Sequence, residues 1–196
     1  MADLPSRAEI LRSLAGAWRL LTFRQEGFGF FAKDAGAVWR SFFAMILAAP
    51  AFALQLESFR GELGLEDPGL HFYAVWALTY VCFWFAVPLL LFLLGERQPY
   101  LPRLPAYIQA SNWVSVPASY LKLASTLLTA NLGQGGDVVD LLVIGWLLGN
   151  AWWIFRRVLA IGGAQAAALV VLSELVTYAL FVFAVSRTAL PALAAG

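Results

Sequence analysis

The chain has 196 residues, of which 61% are apolar and 13% charged, and its net charge is +1. Soluble domains carry roughly 25% charged residues, so this composition excludes an ordinary soluble domain; the net charge argues neither for nor against nucleic acid, and no basic block or aromatic platform suggests it. One cysteine, Cys82, and one histidine, His71, exclude an intrachain disulfide, a thiolate cluster and a multi-histidine metal centre.

The first apolar stretch is interrupted by Arg19 and Arg24 and lacks a small-residue cleavage site, so no cleavable signal is expected. Ser6-Arg7-Ala8-Glu9 fits a capping box. Ile10, Leu11, Leu14, Trp18 and Leu21 then recur at helical steps, with Arg7, Arg12 and Arg19 on other faces. This pattern predicts an amphipathic helix, either lying in the membrane interface or packed on the protein's own cytoplasmic face. Phe28, Phe30 and Phe31, interleaved with Gly27 and Gly29, suit a shallow turn before the first crossing.

Between Asp67 and Glu96 the chain has no acid, Lys or Arg, and Leu70–Gly95 is longer than the roughly 20 apolar residues that cross a bilayer as helix. A soluble domain would bury one stripe of such a helix, not every face. Five crossings are predicted, over residues 37–57, 70–95, 107–132, 138–155 and 164–186. The fold class is therefore an all-α integral membrane bundle. Residues 1–35 form a cytoplasmic interfacial segment, 36–187 the transmembrane domain and 188–196 a short outer tail.

Arg40 is expected to snorkel from the first span, and Pro50, Pro88 and Pro117 fall within spans. The linker Glu96–Pro105 carries three prolines and is expected to be extended and semi-rigid. Gly133 to Gly136 reads as a short turn, and Gly162-Gly163 separates the last two spans. There is no internal repeat of the kind that builds inverted-repeat transporters.

Basic residues set the orientation. With the N-terminus inside, the cytoplasmic segments hold Arg7, Arg12, Arg19, Arg24, Lys33, Arg40, Arg97, Arg103, Arg156 and Arg157, against Arg60 and Arg187 outside. The expectation is N-in and C-out, in a bacterial inner membrane. Trp39, Trp152 and Trp153 suit an inner aromatic belt, and His71, Tyr73 and Trp76 an outer one.

The third span carries the chemical question. Ser115, Ser119, Lys122, Thr126 and Thr129 step by four, three, four and three, which puts them on one helix face. Hydrocarbon offers such a stripe no partners, so it should face other helices or water. Lys122 can reach Glu174 in the fifth span or Asp140 in the fourth. The pair would be a proton or ion relay or a substrate counter-charge, or a structural contact that fixes helix register. A single lysine and a single central acid favour the structural contact. Gly145 and Gly149 form a GxxxG, expected to allow tight helix packing.

No G-x-S-x-G, H-E-x-x-H, Walker A or dinucleotide-binding glycine pattern is present, and Asp137 with Asp140 makes a poor metal site. A non-enzymatic protein without cofactor is expected. The basic amphipathic segment Ser6–Phe31, five hydrophobic spans, the prolyl linker QPYLPRLP and an outer C-terminus together resemble the Yip1-type membrane proteins. That resemblance implies a membrane-organising or trafficking-type role, and no functional residue is carried across from it. The long soluble N-terminal region of the eukaryotic members has no counterpart here, so no small-GTPase partner is implied. The leading expectation is a protein acting through contacts with the lipid bilayer, with other membrane proteins or with itself. The rival is a small transporter or channel subunit using Lys122 and Glu174. A water-accessible cavity reaching those two residues would favour the rival.

Overall fold

The computed structural model describes residues 4–32, 34, 36–95, 98–132 and 134–195. Lys33, Arg97 and Gly133 of the reading above lie outside the described residues. The described chain is helical throughout, in the order α1 (Arg7–Leu21), a 3-10 turn (Gln25–Phe30), α2 (Ala37–Ser41), α3 (Phe43–Glu62), α4 (Gly69–Gly95), a 3-10 turn (Leu101–Arg103), α5 (Leu104–Leu132), α6 (Gln134–Leu159) and α7 (Gly163–Ala195). Four stretches are long and apolar enough to cross a membrane: Ala37–Glu62, Gly69–Gly95, Gly135–Leu159 and Gly163–Thr188. The protein is thus an all-helical chain of membrane type. The polar stripe keeps α5 out of that set, although its 29 residues span about 43 Å at 1.5 Å per residue.

Ser6 caps α1 by accepting the Glu9 N–H at 3.2 Å, the capping contact read from the sequence. The helix docks through a stripe of mostly small residues, Ser13, Gly16, Ala17, Leu20 and Leu21, against the 3-10 turn and α5. Gly16 and Gly27 are needed where α1 crosses that turn: a Cβ on Gly27 would stand 2.6 Å from the Gly16 carbonyl oxygen. The last carbonyls of α1 have no intrahelical donors. Backbone N–H groups of the following turn take Trp18 O, Arg19 O and Leu20 O, and α6 adds Asn150 Nδ2 to Leu20 O (2.7 Å) and Trp146 Nε1 to Leu21 O (3.0 Å). Leu4, Leu11 and Trp18, spaced by seven, remain largely exposed.

Arg40 does not reach for the interface alone. Its Nε meets Glu9 at 2.9 Å and its Nη2 meets Asp34 at 2.6 Å, joining α2 to α1 and to the preceding loop. The guanidinium holds the exposed Asp34 carboxyl below its usual value.

The prolyl linker departs from the expected extended form. Its second half turns compactly, because Tyr100 and Leu104 bury in the core and draw the segment back against Gly95. Pro105 falls in the first turn of α5, where a missing N–H costs nothing. Helix α7 continues through Ala195 instead of ending at a tail.

Two apolar cores lie at opposite ends of the bundle. The core beside α1 gathers Leu20, Leu91, Trp113, Phe155 and Ala166. The distal core gathers Leu56, Phe72, Trp76 and Ala184, with Phe59 and Phe181 against them. Trp76 therefore packs inside instead of joining an aromatic belt. Its ring meets those of Phe59 and Phe181 at 5.6 Å each. Helix α5 is the centre of the bundle, touching α1, α2, α3, α4 and α6.

Candidate functional site

The hydroxyls of α5 explain how a polar stripe is tolerated there. Ser115 donates to Ser111 O, Ser119 to Val116 O, Thr126 to Lys122 O and Thr129 to Ser125 O, all between 2.8 and 3.1 Å. Each proton is satisfied by the helix's own backbone, which leaves oxygen lone pairs turned outward from the stripe.

Lys122 sits on this face and pairs with Asp140 of α6, at 2.5 and 2.7 Å from its two carboxylate oxygens. Ser125 donates to the same carboxylate at 2.7 Å. The two side chains retain 32% and 26% of their accessible surface, so the pair is part-buried and not sealed. Between the two acids within reach of Lys122, the structure selects Asp140. Ser125 was not singled out on the sequence, although its steps of three from Lys122 and four to Thr129 place it beside the stripe.

The α5–α6 hairpin brings the pair together. Gly136 lies against Thr129, and a Cβ there would stand 2.3 Å from the Thr129 Cα. Thr129 Oγ1 also lies 3.0 Å from Gly136 O, so its single proton is shared between that carbonyl and Ser125 O. Close helix approach thus uses Gly136 and not the GxxxG. A Cβ on Gly145 would meet nothing within 4 Å, and one on Gly149 would make an ordinary contact with Phe23 at 3.9 Å. Within the chain Gly145 and Gly149 therefore make no close helix–helix approach, because the hairpin presents the Asp140 face of α6 to α5.

Two cavities flank the ion pair. The distal one, of about 640 Å³, lies among Phe52, Phe59, Trp76 and Phe181 on one side and Lys122, Thr126, Thr129 and Asp140 on the other. Trp76 Nε1 is buried there without a hydrogen-bond partner among the described residues. The one nearer α1, of about 430 Å³, is lined by Ser111, Ser115, Ser119 and Lys122 of α5 and by Ser173, Glu174 and Thr177 of α7. Phe52, Gln55, Phe83 and Lys122 line both. Residues of the α5 stripe therefore meet open space along most of the helix length, with the ion pair where the two cavities adjoin.

Glu174 stands apart from the pair. It is exposed at the rim of the α1-side cavity and makes no hydrogen bond or ion pair among the described residues. Gln55 of α3 was also missed on the sequence. Its Nε2 bridges Ala51 O and Ser119 O at 3.2 and 3.3 Å, tying α3 to α5 at the junction. Asn112, which donates to Ser41 Oγ at 3.0 Å, makes a similar buried tie between α5 and α2. Comparison with protein-family models, with curated proteins and with solved structures found no match.

Proposed function

We propose that this chain is a non-enzymatic inner-membrane protein that admits a small solute between its helices, as a small transporter or a subunit of one. The observation that carries this reading is the pair of cavities that share Lys122, carry the hydroxyls of α5 in their otherwise mostly apolar walls and reach Glu174. A bundle serving only as a scaffold would gain by filling that space with Leu, since cavities and unfilled polar surface both lower stability.

The reading takes α5 as a fifth crossing. Its length suffices, and its hydroxyls satisfy themselves, so its low apolar content is no obstacle in a bundle interior. Five crossings with the basic residues inside give an N-in, C-out arrangement, with the distal cavity toward the outside. In that frame α1 lies in the cytoplasmic interface. Its small-residue face docks on the bundle, while Leu4, Leu11 and Trp18 enter the lipid headgroup region, flanked by the exposed Arg7 and Arg12.

The test is cysteine accessibility in a Cys82→Ser background. Ser119→Cys and Thr126→Cys should react with a small membrane-impermeant thiol reagent, whereas the buried Leu123→Cys should not. Failure of both to react faster than Leu123→Cys would mean a closed interior. The membrane-organising role through protein or lipid contacts, as a Yip1-type likeness implies, would then replace this reading.

A further inference from the structure

We infer that the α1-side cavity is a binding site for a lipophilic organic cation, held by Glu174, with a proton as the competing occupant. The inference deepens the solute-binding reading and rests on it.

Glu174 lies at the middle of the Gly163–Thr188 stretch of α7 and has no partner of its own. An ionisable group at such a depth is costly and calls for a counter-charge or a proton. The charged and titratable groups that line the cavity are few. Helix α3 contributes the neutral Gln55, α4 the phenol Tyr80, α5 the phenol Tyr107 and Lys122, and α6 none. Lys122 is engaged by Asp140, which neutralises it. The charge left over in the cavity is therefore a single carboxylate.

Four of the hydroxyls agree in sign. Ser115, Ser119, Ser173 and Thr177 each donate to a carbonyl of their own helix and offer the cavity oxygen lone pairs. The donors Gln55, Tyr80 and Asn112 are directed to acceptors within the protein. A cavity of acceptors around a carboxylate attracts cations and disfavours anions.

The rest of the lining is apolar, aliphatic in part through Val87, Leu147 and Val170 and aromatic in part through Phe83 and Trp84 of α4. A ring face left open to the cavity attracts a cation where water is excluded. Glu174 shares the exposed face of α7 with Val171, Leu175 and Tyr178, so the rim opens toward the surrounding apolar phase. A cation that partitions into the membrane can enter there, which a strongly hydrated metal ion or ammonium cannot do readily. At about 430 Å³ the space suits a molecule of several rings or a short chain.

The test uses the full chain in lipid nanodiscs and tritiated tetraphenylphosphonium as the probe. The wild type should bind it saturably, and binding should tighten as pH rises and Glu174 gives up its proton. Glu174→Gln should weaken binding by about tenfold or more and remove the pH dependence, the loss expected for a contact to a charged group. Glu174→Asp should retain the pH dependence, and it serves if the Gln variant fails to fold. Triphenylphosphine oxide, the uncharged probe, should bind equally to wild type and Glu174→Gln. Equal binding of the cation by wild type and Glu174→Gln, or pH-independent binding by the wild type, would overturn the inference. An absence of saturable binding would overturn it too. If the thiol reagent still reaches Ser119→Cys in that case, the solute-binding reading stands while the cation site falls; if the interior is closed as well, both fall.

Discussion

Lys122 and Asp140 are joined at 2.5 Å in a setting neither sealed nor open, and that decides what the pair contributes. Exposed pairs are worth about 0–1 kcal/mol, whereas removing one member of a buried pair costs about 3–5 kcal/mol. With roughly a third and a quarter of the two side chains accessible, Lys122→Met should fall between those limits. Adding Asp140→Asn should recover part of the loss, because the orphaned carboxylate is removed; adding Glu174→Gln should recover none. Thermal unfolding in detergent of Lys122→Met, Asp140→Asn, Glu174→Gln and the two double mutants measures the coupling against wild type, and strictly additive losses in the Asp140 double mutant would contradict the pairing. At this scale the sequence was informative about composition of the stripe and less so about partners. The spacing of Ser115, Ser119, Lys122, Thr126 and Thr129 is a property of one helix and can be read directly. The choice of Asp140 over Glu174 depends on how α6 and α7 are placed around α5, which no spacing within a helix encodes. Trp76 illustrates the same limit: its place in the run suits an aromatic belt, while its packing against Phe59 and Phe181 puts it in the core.

Among the elements, α1 was legible as a helix but not in its orientation. Two apolar stripes coexist on it, and the larger side chains drew the eye. The docked stripe is the small one, Ser13, Gly16 and Ala17, because small residues let backbones approach where α1 crosses its 3-10 turn. Leu11 and Trp18 are left outward. Docking uses one face of α1, and the interfacial burial proposed for Leu11 and Trp18 would use another. The carbonyl contacts from α6 make this testable. Asn150→Ala removes the tie from α6 and leaves the Leu20 carbonyl only the Phe23 N–H, a loss of about 0.5–1.5 kcal/mol. Amide exchange in α1 should rise while that of α4 and α7 stays unchanged, and Leu11→Ser in detergent should leave α1 as protected as in the wild type. Uniform exchange across all helices of Asn150→Ala would contradict a local anchor. The linker before α5 was misread for a related reason: prolines disfavour a continuing helix, but they do not forbid a compact turn once Tyr100 and Leu104 find apolar cover.

For the whole molecule, the hydropathy of the four apolar stretches was plain in the sequence, and their boundaries agree with the helices to within a few residues at most ends. The position of α5 is what gives them a purpose. The two cavities lie along its polar face, between it and parts of α3, α4 and α7. Nothing in the account survives if α5 lies along the membrane instead of through it. The most direct measurement is therefore the sidedness of its two ends. In a Cys82→Ser background, Gln98→Cys precedes α5 and Gly135→Cys follows it, and both positions are exposed. An impermeant maleimide added outside intact cells should label Gly135→Cys at once and Gln98→Cys only after the membrane is permeabilised. Labelling of both from the same side would contradict the crossing and, with it, the solute path along α5.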